Sequence, residues 1–161
     1  MLIRRATEAD FESMWPIFRA VVSTGTTYVF DPETSREDAF AYWLGPGVLS
    51  YVAEDAGRVV GMYKIVPNQR DLGSHVANAS FMVDPSFSGR GAGREMGLHC
   101  LREAREAGFL AMQFNFVVST NEAAVALWKK LGFAIVGTLP KAFRHRELGY
   151  VDAYVMYRFL G

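Results

Sequence analysis

Glycines at positions 89, 91 and 93, with Arg90 among them and Arg94 just behind, form the stretch of this sequence best suited to hold an anion. Glycine lets the main chain take positive φ and come close to a ligand. The apolar run Phe81-Met82-Val83 leads into the glycines through Asp84-Pro85, and a helical pattern leaves them. A helix start offers unpaired N–H groups and the positive end of its dipole. The two arginines add charge that a phosphate can pair with. Strand, glycine turn and helix together read as a phosphate cradle. It is not a Walker loop, since Gly-Lys-Ser/Thr is missing. A dinucleotide fingerprint would need its third glycine where Met96 stands and would follow the first strand rather than a late one.

The rest of the chain must position that cradle. Leu2 to Ala6 reads as a strand, and Thr7 as the N-cap of a helix with Phe11, Met14, Trp15 and Phe18 inward. Pro16 is expected to kink or split that helix. Ser35 is a second N-cap, with Phe40, Trp43 and Leu44 on the apolar face and Gly45-Pro46-Gly47 as the stop. Val48 to Glu54 and Arg58 to Val66 are strands joined through Asp55-Ala56-Gly57, a tight-hairpin signal. His75 to Val83 is the strand that feeds the cradle. The helix after it carries Met96, Cys100, Leu101 and Ala104 on one stripe, ended by Gly108. Leu110 to Val118 is a strand, Asn121 opens a helix through Trp128 to Lys130, and Phe133 to Leu139 and Tyr150 to Phe159 are the last strands. Lys141 to Arg146 reads as a basic loop between them. The fold class is α/β, a mixed sheet in one domain spanning residues 1–161.

Half of the residues are hydrophobic and the formal net charge is zero, so a full core is expected and no broad footprint for nucleic acid or a membrane surface. One cysteine, Cys100, cannot make an internal disulfide and sits on an apolar stripe, which suits a core position in a reducing cytoplasm. The start, Met1 to Arg5, lacks an apolar leader region, and no run approaches membrane-spanning length. His75, His99 and His145 have no metal-ligand spacing and read as surface residues, so no metal is expected.

A second motif makes the reading specific: Asn121, Ala124, Leu127-Trp128 and Gly132-Phe133 stand at fixed spacing after Ser88-Gly89-Arg90-Gly91-Ala92-Gly93. Together with the element order, this resembles the GNAT superfamily of acetyl-CoA-dependent N-acetyltransferases over nearly the whole chain. The ending Gly149 to Tyr157 resembles the branch acting on small amines, including the phosphinothricin acetyltransferase type. The resemblance implies a mostly antiparallel sheet of about seven strands, splayed in the middle and flanked by about four helices. It implies acetyl-CoA as cofactor, with main-chain groups of Phe81, Met82 and Val83 bonding the pantetheine arm. Ser88 replaces the usual longer side chain at the head of the loop. Amides of Gly89, Arg90, Gly91, Ala92, Gly93 and Arg94 would hold the pyrophosphate, with Asn121 and Trp128 beside the arm and Lys130 near the phosphoadenosine. Tyr28, Phe30, Asp31, Phe114, Asn115 and Tyr150 are the substrate candidates, and a homodimer is implied as well.

Acetyl transfer to an amine needs a neutral nitrogen, a polarised thioester carbonyl and tolerance of the departing thiolate. Many relatives have a tyrosine where Trp128 stands, and an indole N–H does not give up its proton. Tyr63 and Tyr150 are candidates for that role. The base position of some relatives is Ala77 here, so a water relay through Asn78, Ser80 and His75 is the expectation. The readings are a small-amine acetyltransferase, a protein N-terminal or lysine acetyltransferase, and an acyl-CoA-binding sensor without catalysis.

Overall fold

The computed structural model describes residues 1–161. Its elements are β1 (Leu2–Arg5), α1 (Phe11–Val22), α2 (Arg36–Leu44), β2 (Leu49–Asp55), β3 (Arg58–Pro67), β4 (Val76–Val83), α3 (Ala92–Glu106), β5 (Ala111–Val118), α4 (Glu122–Lys130), β6 (Ala134–His145) and β7 (Gly149–Phe159). The seven strands form one sheet in the order β1-β2-β3-β4-β5-β7-β6. Every neighbouring pair is antiparallel except β4–β5. This is the mixed, open sheet with four helices that the sequence implied.

Helical spacing sets the two cores. α1 and α2 turn Met14, Phe18, Val22, Ala39 and Trp43 onto Val52, Met62 and Met82 on one face of the sheet. α3 and α4 turn Met96, Cys100, Ala104 and Trp128 onto Tyr51, Tyr63, Ile65, Ala77 and Ala79 on the other. Alternating residues of β2, β3 and β4 therefore serve opposite cores, as the two-residue period of a strand requires. Pro16 lies inside an unbroken α1. Its fixed φ is helical, so the cost is one main-chain hydrogen bond rather than a break. Ala56 and Gly57 both take positive φ, 48° and 77°, which gives the β2–β3 hairpin its two-residue turn.

Three expectations change. The basic stretch Lys141 to Arg146 is not a loop: β6 runs on to His145, with a bulge between Leu139 and Phe143 where Lys141 takes φ 51°. The bulge lets Phe143 and His145 point inward while the charges stay outside. His145 is buried, and its Nδ1 accepts the N–H groups of Glu147 and Leu148, each at 3.1 Å, so it ties the β6–β7 turn. His99 is half-buried, with Nδ1 2.6 Å from the Tyr63 hydroxyl under the sheet.

Candidate active site

β4 and β5 pair only at Val76–Ala111 and Ala77–Met112, and then part. Parting strands leave inward main-chain groups without ladder partners. The side-chain amide of Asn78 donates to the Gln113 carbonyl at 3.0 Å and closes the apex of the wedge. Beyond it lies a cleft of about 470 Å³, walled by Tyr28 and Phe30 from the α1–α2 connection, Tyr42 from α2, Asn78 to Phe81 from β4, Phe114 to Val118 from β5, and Asn121, Ala124 and Trp128 from α4. No lining side chain carries a formal charge. A bulge between Phe114 and Val117 shifts the β5 register, so that both of these side chains join the α3–α4 core, and Phe114 to Val118 line the cleft.

The register decides which β4 main-chain groups face that wedge. Asp84 N–H bonds the Val60 carbonyl at 2.8 Å, and Asn68 N–H bonds the Val76 carbonyl at 2.8 Å. Hydrogen-bonded pairs alternate in an antiparallel ladder, so Met82, Ser80 and Asn78 spend their main-chain groups on β3. Met82, expected to offer a main-chain group to a cofactor, is thus turned away. Phe81 and Val83 face the wedge. The Tyr28 hydroxyl accepts the Phe81 N–H at 3.0 Å and donates to the Phe81 carbonyl. Burial pushes the Tyr28 phenol far above its ordinary pKa, which keeps it protonated.

The glycine stretch follows β4 through a capped turn. Asp84 accepts the Ser86 N–H at 2.8 Å, Pro85 starts a one-turn 3₁₀ helix, and Phe87 is buried beneath the Arg90 guanidinium, 4.9 Å from the ring centre. Gly89 and Gly91 hold φ 77° and 84°, and Gly91 is the N-cap of α3. A Cβ at either would meet nothing within 4 Å. Glycine is needed there for conformation, and the space in front is free for a ligand. The first α3 bond runs from Glu95 N–H to the Gly91 carbonyl at 3.1 Å, so the amides of Ala92, Gly93 and Arg94 have no intrahelical acceptor. Turn, amides and exposed Ser88 and Arg94 suit a diphosphate. α4 lies close against α3: a Cβ on Gly97 would come within 2.6 Å of Leu131 Cδ1 and 3.3 Å of Trp128 Cζ3. Lys130 is exposed at the end of that neighbouring helix.

Several expected site residues do lie together. Asn121 caps α4, its side chain accepting the Ala124 N–H at 3.4 Å, and also lines the cleft. Trp128 belongs to both core and wall, its ring 4.8 Å from Phe81 and 4.6 Å from Phe114. Asn115 lines the cleft within an amide chain, donating to Asn68 Oδ1 at 2.7 Å and accepting from Gln113 Nε2 at 2.8 Å.

Others do not. Tyr63 is fully buried on the α3 face, stacked on Tyr51 with ring centres 4.7 Å apart, because Tyr63 and Ile65 point to that core and Met62 to the other. Tyr150 is 66% exposed near the β6–β7 turn and does not line the cleft. Asp31 closes its own turn, accepting the Glu33 N–H at 2.7 Å, and is exposed. His75 is exposed just before β4 and is absent from the cleft wall.

Sequence reasoning missed Tyr42, Phe116 and Lys64. The Tyr42 hydroxyl lies 2.6 Å from Ser80 Oγ, both on the cleft wall. Lys64 Nζ rests 3.3 Å from the Tyr42 ring centre. Lys64 was visible as the one charge within the apolar run Val59 to Val66. In the sequence Arg146 reads as part of a basic loop. Instead it clamps the end of α1, its N–H bonding the Gly25 carbonyl at 3.0 Å and its guanidinium the Ser23 carbonyl at 3.1 Å.

Comparison with known proteins agrees with this geometry. The profile of the acetyltransferase (GNAT) family matches residues 11–133. The L-amino acid N-acetyltransferase AaaT of Escherichia coli is 36% identical over 118 residues, covering 70% of this chain and 69% of that protein. A GCN5-related N-acetyltransferase from Kribbella flavida superposes with a TM-score of 0.93 at 45% identity, over 98% of this chain and 96% of that one. The acetyltransferase yncA from Salmonella typhimurium, solved with its cofactor acetyl-CoA, gives 0.88 at 25% identity, over 100% and 94% of the two chains.

Proposed function

Because the chain belongs to the GNAT acetyltransferase family, whose cofactor is acetyl-CoA, we propose that it acetylates the amine of a small amino acid or amino-acid analogue by direct attack in a ternary complex. The observation that carries this reading is the wedge between β4 and β5, uncharged and ring-lined, leading to the open turn at Gly89 and Gly91. An uncharged wall of about 470 Å³, partly roofed by Tyr28 and Phe30, favours a compact acceptor over a protein segment. The same reading includes action as a single domain and a cytoplasmic homodimer, which sedimentation equilibrium tests.

Roles follow residue by residue. Amides of Gly89 to Arg94 would hold the diphosphate, Val83 and Asn121 would flank the pantetheine arm, and Lys130 would sit toward the adenosine phosphate. When bound, acetyl-CoA supplies the thioester that the acceptor nitrogen attacks. The Phe81 N–H is already taken by the Tyr28 hydroxyl, so the inward N–H of Val83 is the donor left to polarise a carbonyl in the wedge. The ring-lined wall disfavours a bare ammonium and so favours the neutral amine. No carboxylate or histidine lines the cleft. With His75 outside it, the proton of the acceptor amine would pass to water in the cleft rather than along a side-chain path. Trp128 would keep its indole proton, so this chain offers the departing sulfur no acid there, and release as a thiolate would suit a thiol, whose pKa in cysteine is about 8.5.

Thiol release from acetyl-CoA across L-amino acids, amino-acid analogues and polyamines, with the product identified by mass, tests the reading. Turnover on an amino acid or analogue is expected. Tight acetyl-CoA binding with no turnover on any amine would favour a sensor instead.

A further inference from the structure

Among lysines, arginines and carboxylates, only Lys64 is buried, at 6% exposure. None of the ion pairs in the chain includes it. Its cross-strand neighbours are Ser50 on β2 and Ser80 on β4, so the three polar side chains form a row on the sheet face beneath α1 and α2. That face is otherwise packed with Val52, Met62, Met82 and the helix rings. The Ser50 hydroxyl is fully enclosed and has no hydrogen-bond partner. Ser80 and Tyr42, the residues Lys64 touches or adjoins, are themselves part of the cleft wall.

Burying an ammonium without an anion is costly, and a ring face offsets only part of that cost. Burial indeed pushes the Lys64 amine down to about 8. A stable core would place methionine or leucine there. The charge makes sense if an anion arrives with the ligand. The diphosphate has its own cradle at Gly89 to Arg94, in the loop after β4, whereas Lys64 lies behind Tyr42 and Ser80 of the cleft wall without lining the cleft itself.

We propose that Lys64, acting with the Tyr42 and Ser80 hydroxyls, is a subsite for the carboxylate that the acceptor carries beside its reacting amine. This rests on the acetyl-transfer reading above and deepens it. The acceptor is a compact amino acid rather than a polyamine, because a second cation would meet Lys64 with no acidic residue on the wall to balance it.

The test compares the best L-amino acid acceptor with its own carboxamide, in the natural chain and in Lys64→Met. Methionine keeps the bulk and drops the charge. The KM of the free acid should rise about thirtyfold or more in Lys64→Met, while the KM of the carboxamide and of acetyl-CoA move less than about threefold. Calorimetric titration with the N-acetyl amino acid and the N-acetyl carboxamide gives a readout without turnover. The natural chain should prefer the acid, and Lys64→Met should bind both alike. Equal changes for acid and carboxamide, or no preference in the natural chain, would overturn the subsite while leaving acetyl transfer intact. No turnover of either acceptor would instead sink the acetyl-transfer reading, and the product titration would still decide on Lys64.

Discussion

The Tyr28 hydroxyl takes both main-chain groups of Phe81, accepting its N–H at 3.0 Å and donating to its carbonyl. One phenol thus stands in for the strand that β4 lacks on its inner edge, and it ties the α1–α2 connection to the wedge. Arg146 fastens the same connection at Ser23 and Gly25.

Tyr28→Phe should keep the ring packing against Phe30 and lose the tie. The expected cost is about 1–2 kcal/mol, a fall in Tm of roughly 2–8 °C, with faster proteolysis between Gly25 and Pro32. An unchanged Tm and cleavage rate would mean that the hydroxyl holds nothing.

Gly91→Val forces a β-branched residue to φ 84° at the N-cap of α3 and puts methyl groups where a diphosphate would lie. We expect a folded protein, destabilised by about 1–2 kcal/mol, whose acetyl-CoA Kd rises at least about tenfold. Calorimetry reads both binding and fold. Gly97→Val, which pushes on Leu131 and Trp128 instead, should lower stability more than Gly91→Val does.

Trp128→Phe removes the indole N–H and keeps an aromatic wall. General acids contribute about 10²–10⁴ in rate, so a fall in kcat of less than about tenfold is the outcome expected of a residue that donates no proton. A larger loss with KM unchanged would give Trp128 a chemical role.

Lys64 also makes a pH prediction with a definite sign. Burial lowers its folded pKa from the ordinary 10.5 to about 8, so the folded chain binds fewer protons between those values and stability rises with pH there. Below about 8 the full burial penalty stands. Lys64→Met should therefore be more stable than the natural chain at pH 7, by on the order of 1–3 kcal/mol after allowing for screening, and the gap should close toward pH 10.5. Denaturant titrations at pH 7 and pH 10 measure it, and a gap that widens with pH would refute the penalty.

Much of this was legible in the sequence because the residues involved answer local demands. Gly89 and Gly91 mark positive φ, Ser35 and Asn121 mark helix starts, and Met96, Cys100 and Ala104 mark a buried stripe by spacing alone. The β6 extension was hidden because Lys141 bends the strand and its charges resemble a loop, although the alternation of Phe143 and His145 carried the signal. Tyr63, Asp31 and Tyr150 are polar residues whose role depends on which face or end of the sheet they occupy, and composition is silent on that. The Tyr28–Phe81 tie joins residues 53 apart, and only the fold creates it.

A crystal structure with coenzyme A bound tests the central claim most directly. The account predicts the diphosphate on the amides of Gly89 to Arg94 and the pantetheine arm between β4 and β5 against Val83. A diphosphate bound away from that turn, or an arm that leaves the β4–β5 wedge untouched, would contradict it.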